Sequence, residues 1–146
     1  MATRAEIVGA ARKYLGFPMR HQGRLSAFDC VGLVLAVAED LELVDIRGVP
    51  IRRNDYLQYG PQPVNAFVHD ECARRLLACP TPIGPGDVLT LRVPLIPCHV
   101  AIVSEIPGQG LGIIHAYAES QNVVEHRLDD AWQRRIVGAF SFPGVT

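Results

Sequence analysis

The sequence predicts an α+β domain in which N-terminal helices pack on an antiparallel sheet of about five strands. The first half of the chain repeats apolar residues at helical spacing, in residues 7–15 and again in 31–41. From "GPGDVLTLRV" onward the character changes. The runs "HVAIVSE", "LGIIHAY", "NVVEHRL" and "IVGAFSF" are rich in Val, Ile and aromatics and are separated by "PGQG", "ESQ" and "DDAWQRR". With 146 residues, 49% hydrophobic and 20% charged, the chain has the size and composition of one compact domain over residues 1–146.

Each element has its own local reason. Thr3 with Glu6 forms a capping box, and Ile7, Ala10, Ala11, Tyr14 and Leu15 follow on one helical face until Gly16 and Pro18 stop the pattern. That gives a first helix from about residue 3 to 15. Asp29 is a good N-cap, and Val31, Leu33, Val34, Val37, Ala38 and Leu41 mark a second helix whose apolar faces nearly meet, as in a helix that is mostly buried. Residues 45–63 hold three Pro and two Gly without a clear period and read as a long irregular connection bordering a site. "VNAFVHDECARRLLAC" reads as a third helix after it.

The totals exclude several function classes. Fourteen Lys and Arg against fifteen Asp and Glu give a net charge of -1, which provides no global field for nucleic acid or an anionic membrane. The longest near-apolar run, "CVGLVLAVA", is far shorter than the roughly 20 residues of a spanning helix, so no membrane insertion is expected. The start "MATRAEIVGAARKYLG" carries charge within its first six residues and lacks the features of a signal peptide, so a chain that is cytoplasmic when made is expected. Cys30, Cys72, Cys79 and Cys98 are read as thiols. A bridge from Cys72 to Cys79 stays open only if the helix between them is broken, because i to i+7 lies beyond disulfide reach within a helix.

The stretch "AFDCVGLV" places Cys30 in the first turn behind a capping Asp29. Unpaired N–H groups and the positive end of the macrodipole favour negative charge there, which suits a thiolate nucleophile and the oxyanion formed when it attacks a carbonyl. Taken alone, such a cysteine is more often a buried residue packing as a small hydrophobe than a nucleophile. A nucleophile also needs a base, and His99 and His115 each interrupt an otherwise apolar strand on either side of the turn "PGQG". A hairpin folded there brings them within one or two residue positions, with the register open. One imidazole would take the thiol proton while the other orients it.

These residues also carry a resemblance. "IVGAARKYLGFPMRHQG", "FDCVGLV", "GDVLTL", "HVAIVSE" and "IIHAY" together resemble the NlpC-type cell-wall peptidases, small papain-like enzymes, and "VVEHRLDDAWQRRIVGAFSFPG" is similar to the C-terminal part of the subset encoded by phages and prophages. The resemblance covers nearly the whole chain. It implies a papain-like fold, no cofactor, and cysteine-dependent hydrolysis of an amide in peptidoglycan stem peptides, usually the link between D-glutamate and a diamino acid. Cys30 would attack the carbonyl, His99 would act as base and then acid, His115 would hold the His99 ring, and the Cys30 N–H would meet the oxyanion. Val31 stands where the family usually has Ser, and Met19 where many members have Tyr. Met19, Arg20, His21, Arg24, Asp29 and Val31 are the candidate substrate contacts, with Arg20 and Arg24 suited to carboxylates of the stem.

Two other classes compete. Cys30, His99 and His115 with a nearby carboxylate would suit zinc, but no Cys-x-x-Cys or His-Glu-x-x-His pair supplies two ligands from one element, so no metal is expected. A catalytically weak or inactive docking component of a phage tail would share the fold, with tail proteins as its partners. His69 and His126 read as surface residues, and Trp132 as the anchor of a turn onto the sheet.

Overall fold

The computed structural model describes residues 2–18, 29–58, 67–79, 82–92, 99–117 and 119–146. Three helices precede most of a single antiparallel sheet: α1 (Arg4–Arg12), α2 (Cys30–Asp40) and α3 (Phe67–Arg75), with a 3-10 turn at Arg53–Gln58 inside the long connection. The strands are β1 (Leu77–Ala78), β2 (Val88–Leu91), β3 (His99–Ile106), β4 (Gly110–Tyr117), β5 (Asn122–Arg127) and β6 (Ile136–Ser141), with a short α4 (Asp130–Gln133) before the last. They pair in the order β1-β6-β2-β3-β4-β5.

The expected α+β order therefore holds, with three corrections. The sheet has six strands rather than about five, because a two-residue β1 pairs with the end of β6. The third helix ends at Arg75 instead of continuing through "LLAC", since Leu77 and Ala78 pair with Ser141 and Phe140. Segment "DDAWQRR" contains a helical turn capped by Asp129, whose carboxylate accepts from the Trp132 N–H at 3.0 Å.

Capping chemistry sets the starts of α1 and α2. Thr3 Oγ1 accepts from the Glu6 N–H at 3.1 Å, and Asp29 Oδ1 accepts from the Gly32 N–H at 2.7 Å. In α2, Leu33, Ala36, Val37 and Ala38 are fully buried between α1 and the sheet. Burying each Leu or Val there is worth about 1.5 to 3 kcal/mol. That burial holds a helix with no acidic residue in its first turn and no basic one in its last to complement its dipole.

The sheet has two unlike faces. Val88, Val100, Ile102, Ile114, Ala116, Val123 and Phe140 meet the helices and form the larger core. By alternation, Leu89, Leu91, Ala101, Val103 and Ile113 point the other way, into a smaller cluster closed by Leu128 and Trp132. Gly112, on β4, has no room for a side chain: a Cβ would lie 2.9 Å from the His126 carbonyl and 2.8 Å from Ser104 Oγ. Among the described residues no helix is long and apolar enough to cross a membrane.

Among the described residues Asp29, Asp45 and Asp87 are buried carboxylates. Asp87, only 1% exposed, accepts from Arg4 at 2.7 Å, from the Ser141 hydroxyl and the Gly84 N–H at 2.8 Å, and from the Cys79 thiol at 3.3 Å. Burial pushes its carboxyl upward, but Arg4 and the other donors outweigh burial and hold it below its ordinary range.

Candidate active site

Cys30 is the first residue of α2, half-buried and packed against the helix-side core. Its N–H belongs to the first turn, where backbone donors point out of the helix end rather than along it. Next to it, Val31 lines a cavity of about 90 Å³ together with Val100, Val34 and Val68. The N-terminal turn of α2 therefore meets the beginning of β3, where His99 is the first residue.

The histidines are fixed by strand register. β3 and β4 pair Ile102 with Ile114, and β4 and β5 pair His115 with Val124 and Ile113 with His126. Paired residues share a face, so His99, His115 and His126 all rise from the second face, alongside Ala101 and Ile113. His99 Nε2 lies 2.6 Å from His115 Nδ1, and His115 Nε2 lies 2.8 Å from His126 Nε2. His126 Nδ1 lies 2.9 Å from the Arg127 carbonyl oxygen. Among the described residues, His99 Nδ1 makes no hydrogen bond.

This arrangement refines the expected one. The second helix lies on the opposite face of the sheet from the imidazoles, and its first turn and the start of β3 border one cavity through Val31 and Val100.

Aromatic rings enclose the histidines. Tyr117 stacks on His115 at 5.1 Å, and Trp132 presents an edge to His115 at 5.0 Å while tilting over His126 at 5.1 Å. Trp132 does anchor its turn onto the sheet, and its outer face carries the Arg135 guanidinium at 4.4 Å. Burial and the nearby Arg135 charge push His99 down to about 4, and burial with the neighbouring imidazoles pushes His115 down to about 2. Both rings are neutral at physiological pH. A neutral His99 is a base in waiting rather than a preformed imidazolium partner of a thiolate.

The remaining candidates separate clearly. Asp29 is 3% exposed and its carboxylate caps α2 one position before Cys30. Val31 is half-buried at the cavity wall. Met19, Arg20, His21 and Arg24 lie outside the described residues, as does Cys98. Cys72 and Cys79 are thiols and not a disulfide, Cys79 donating to Asp87, and burial pushes Cys72 up to about 12, which makes it inert at neutral pH. His69 is not a surface residue: its Nδ1 bonds Thr90 Oγ1 at 2.9 Å and its ring packs on Phe140 and over Gly138. His126 is half-buried, with its Nδ1 bond to Arg127 on the exposed side, and sequence reasoning missed its place beside His115 because its side depends on the β4–β5 register. Its ring nitrogens pair with neighbours and do not converge with those of His99 and His115 on a common point. Among the described residues no group of three His, Cys, Asp or Glu is arranged to hold a metal ion.

No family model matches the chain, and no curated protein does. Solved structures do. The chain superposes on the NlpC/p60 domain of the peptidoglycan hydrolase SagA with a TM-score of 0.61 and 25% identity, over 97% of this chain and 100% of that one. The fold is similar to that of an NlpC/p60 domain. A second likeness is to Ly7917 with the hydrolyzing product of MDP, with a TM-score of 0.62 and 16% identity over 97% of this chain and 64% of that one. A third is to an N-acetylmuramoyl-L-alanine amidase from Bacteroides uniformis, with a TM-score of 0.53 and 14% identity over 94% of this chain and 96% of that one. The last two speak for the fold alone.

Proposed function

We propose that this chain is a cysteine-dependent hydrolase of peptidoglycan stem peptides, with Cys30 as nucleophile, His99 as base and His115 as the residue that orients it. The observation that carries the proposal is the 2.6 Å contact between His99 Nε2 and His115 Nδ1, which leaves His99 Nδ1 with no hydrogen bond among the described residues. Likeness to a peptidoglycan hydrolase domain over the whole of that domain supports the same reading.

In the first step the Cys30 sulfur bonds to the carbonyl carbon of the scissile amide as its proton passes to His99 Nδ1. The tetrahedral oxyanion accepts from the Cys30 N–H at the helix tip. The carbon–nitrogen bond then breaks, and the His99 proton goes to the leaving amine. Water hydrolyses the thioester, giving its proton to His99, which returns it to the Cys30 sulfur. The substrate is read as the D-glutamyl link to a diamino acid, with Val31 at the cleft wall and Met19, Arg20, His21 and Arg24 as further contacts. The similarity of residues 123–144 to phage-encoded members supports delivery to the cell envelope by a phage or prophage tail.

Incubation with purified muropeptides, followed by mass spectrometry, tests the proposal. A gain of one water across a stem amide with the wild type, and none with Cys30→Ala, is expected. Absence of products from every stem, with firm binding to tail proteins, would replace the enzyme by a docking component of the same fold, and cleavage lost on chelation would replace it by a metal-dependent one.

A further inference from the structure

We propose that His126 is a positioning residue that fixes the tautomer of every ring in a three-imidazole relay, so that the lone pair of His99 points outward at Nδ1. The order of protons follows from the outermost bond. The Arg127 carbonyl oxygen only accepts, so His126 Nδ1 at 2.9 Å must carry the hydrogen. With that ring neutral, its Nε2 is an acceptor. His115 Nε2, 2.8 Å away, must then be the donor, which leaves His115 Nδ1 as an acceptor. His99 Nε2, 2.6 Å from it, must donate in turn. One backbone carbonyl on β5 thus dictates, through three rings, which nitrogen of His99 is unprotonated.

The alternative order requires a second hydrogen on His126, making that ring an imidazolium. A hydrogen on His115 Nδ1 would require His115 Nε2 to accept from His126 Nε2, and a neutral His126 already uses its single hydrogen on the carbonyl. Burial strengthens the rule: His115 is fully buried and His99 is 7% exposed, so an unmade bond has little water to replace it. Trp132 and Tyr117 hold the middle ring in place against its neighbours' nitrogens. The use made of the exposed lone pair rests on the hydrolase reading above, whereas the proton order itself does not.

Nitrogen-15 spectra of the histidine rings near neutral pH test the order directly, using wild-type protein and no substrate. Hydrogens on His126 Nδ1, His115 Nε2 and His99 Nε2 are expected. A hydrogen on His99 Nδ1, or a mixture of tautomers at His115, overturns the proposal. Variants then separate positioning from packing. His126→Leu removes the acceptor and should shift His115 toward its other tautomer, with kcat on muropeptides falling at least about tenfold and KM little changed. His126→Gln restores a carbonyl acceptor and should restore both the tautomer and most of kcat. Unchanged rings in a folded His126→Leu protein would refute the idea. If that variant does not fold, the Gln variant decides alone: the wild-type tautomer at His115 supports the relay and a mixture refutes it. Should no muropeptide be cleaved by the wild type, the ring spectra still decide the proton order, and only the hydrolase reading fails.

Discussion

Asp87 and His115 are both buried polar residues of the sheet region, and their needs are met in opposite ways. Around Asp87, donors from four places in the chain converge on one carboxylate: Arg4, Gly84, Ser141 and Cys79. Around His115, the bonds run head to tail from Arg127 through His126 to His99, and the last ring retains a nitrogen with no hydrogen bond among the described residues. A converging cluster closes on itself and can only hold the fold together. A directed row of neutral rings has a beginning and an end, and its end can act on something else.

The largest effect that would break this contrast is on turnover. His99→Gln should lower kcat/KM on muropeptides by about a thousandfold or more while leaving the thermal midpoint near that of the wild type, because it removes a base and not a keystone. Comparable activity in the variant would make the row of imidazoles a packing device like the other cluster.

Next comes stability at the other cluster. Asp87→Ala strands the Gly84 N–H and the Ser141 hydroxyl and releases Arg4, so urea denaturation should show a loss of about 2 to 4 kcal/mol. Stability within about 1 kcal/mol of the wild type would show that the cluster is not structural.

The two clusters should also fail in different pH windows. His99 is depressed to about 4 from its ordinary 6.5, so between those values the unfolded chain takes up a proton that the folded one does not. Stability therefore falls as pH drops from 6.5 to 4, by about 3 kcal/mol for this ring alone. Asp87 is depressed from 3.8, and its contribution is lost only as pH falls below that value. Urea midpoints measured stepwise from about pH 7 to 3 should show the upper loss reduced in His99→Gln, the share of His115 remaining, and the lower one reduced in Asp87→Asn. The smallest effect is expected for Ser141→Ala, which removes the hydroxyl bond to Asp87 at a cost of about 1 kcal/mol.

Much of this contrast was legible in the sequence and part of it was not, for identifiable reasons. Thr3, Glu6 and Asp29 announce helix starts because capping is local chemistry, and Cys30 follows from Asp29 by one position. His99 and His115 stand out because each breaks an apolar strand. His126 does not stand out, since "NVVEHR" is mixed in polarity, and only the pairing of Ile113 with His126 reveals which side its ring takes. The same limit hid the β1 pairing, where Leu77 and Ala78 look like the tail of a helix until the end of β6 supplies a partner. It also hid the face on which the rings lie: alternation links His99 to Ala101, but the side that α2 covers is decided by packing.

Gly112 lies in β4, a strand removed from the β3 end where Cys30 meets the sheet, and has an ordinary extended backbone, yet the carbonyl of His126 presses so near its Cα that even a methyl group would have to push the neighbouring strand aside. Displacing β5 by a few tenths of an ångström would lengthen the 2.8 Å link between two imidazoles on the opposite side of the sheet. Absence of a side chain at one position is thereby a condition for proton order at another, and an alanine there is a mechanical way to detune the relay without touching any of its rings.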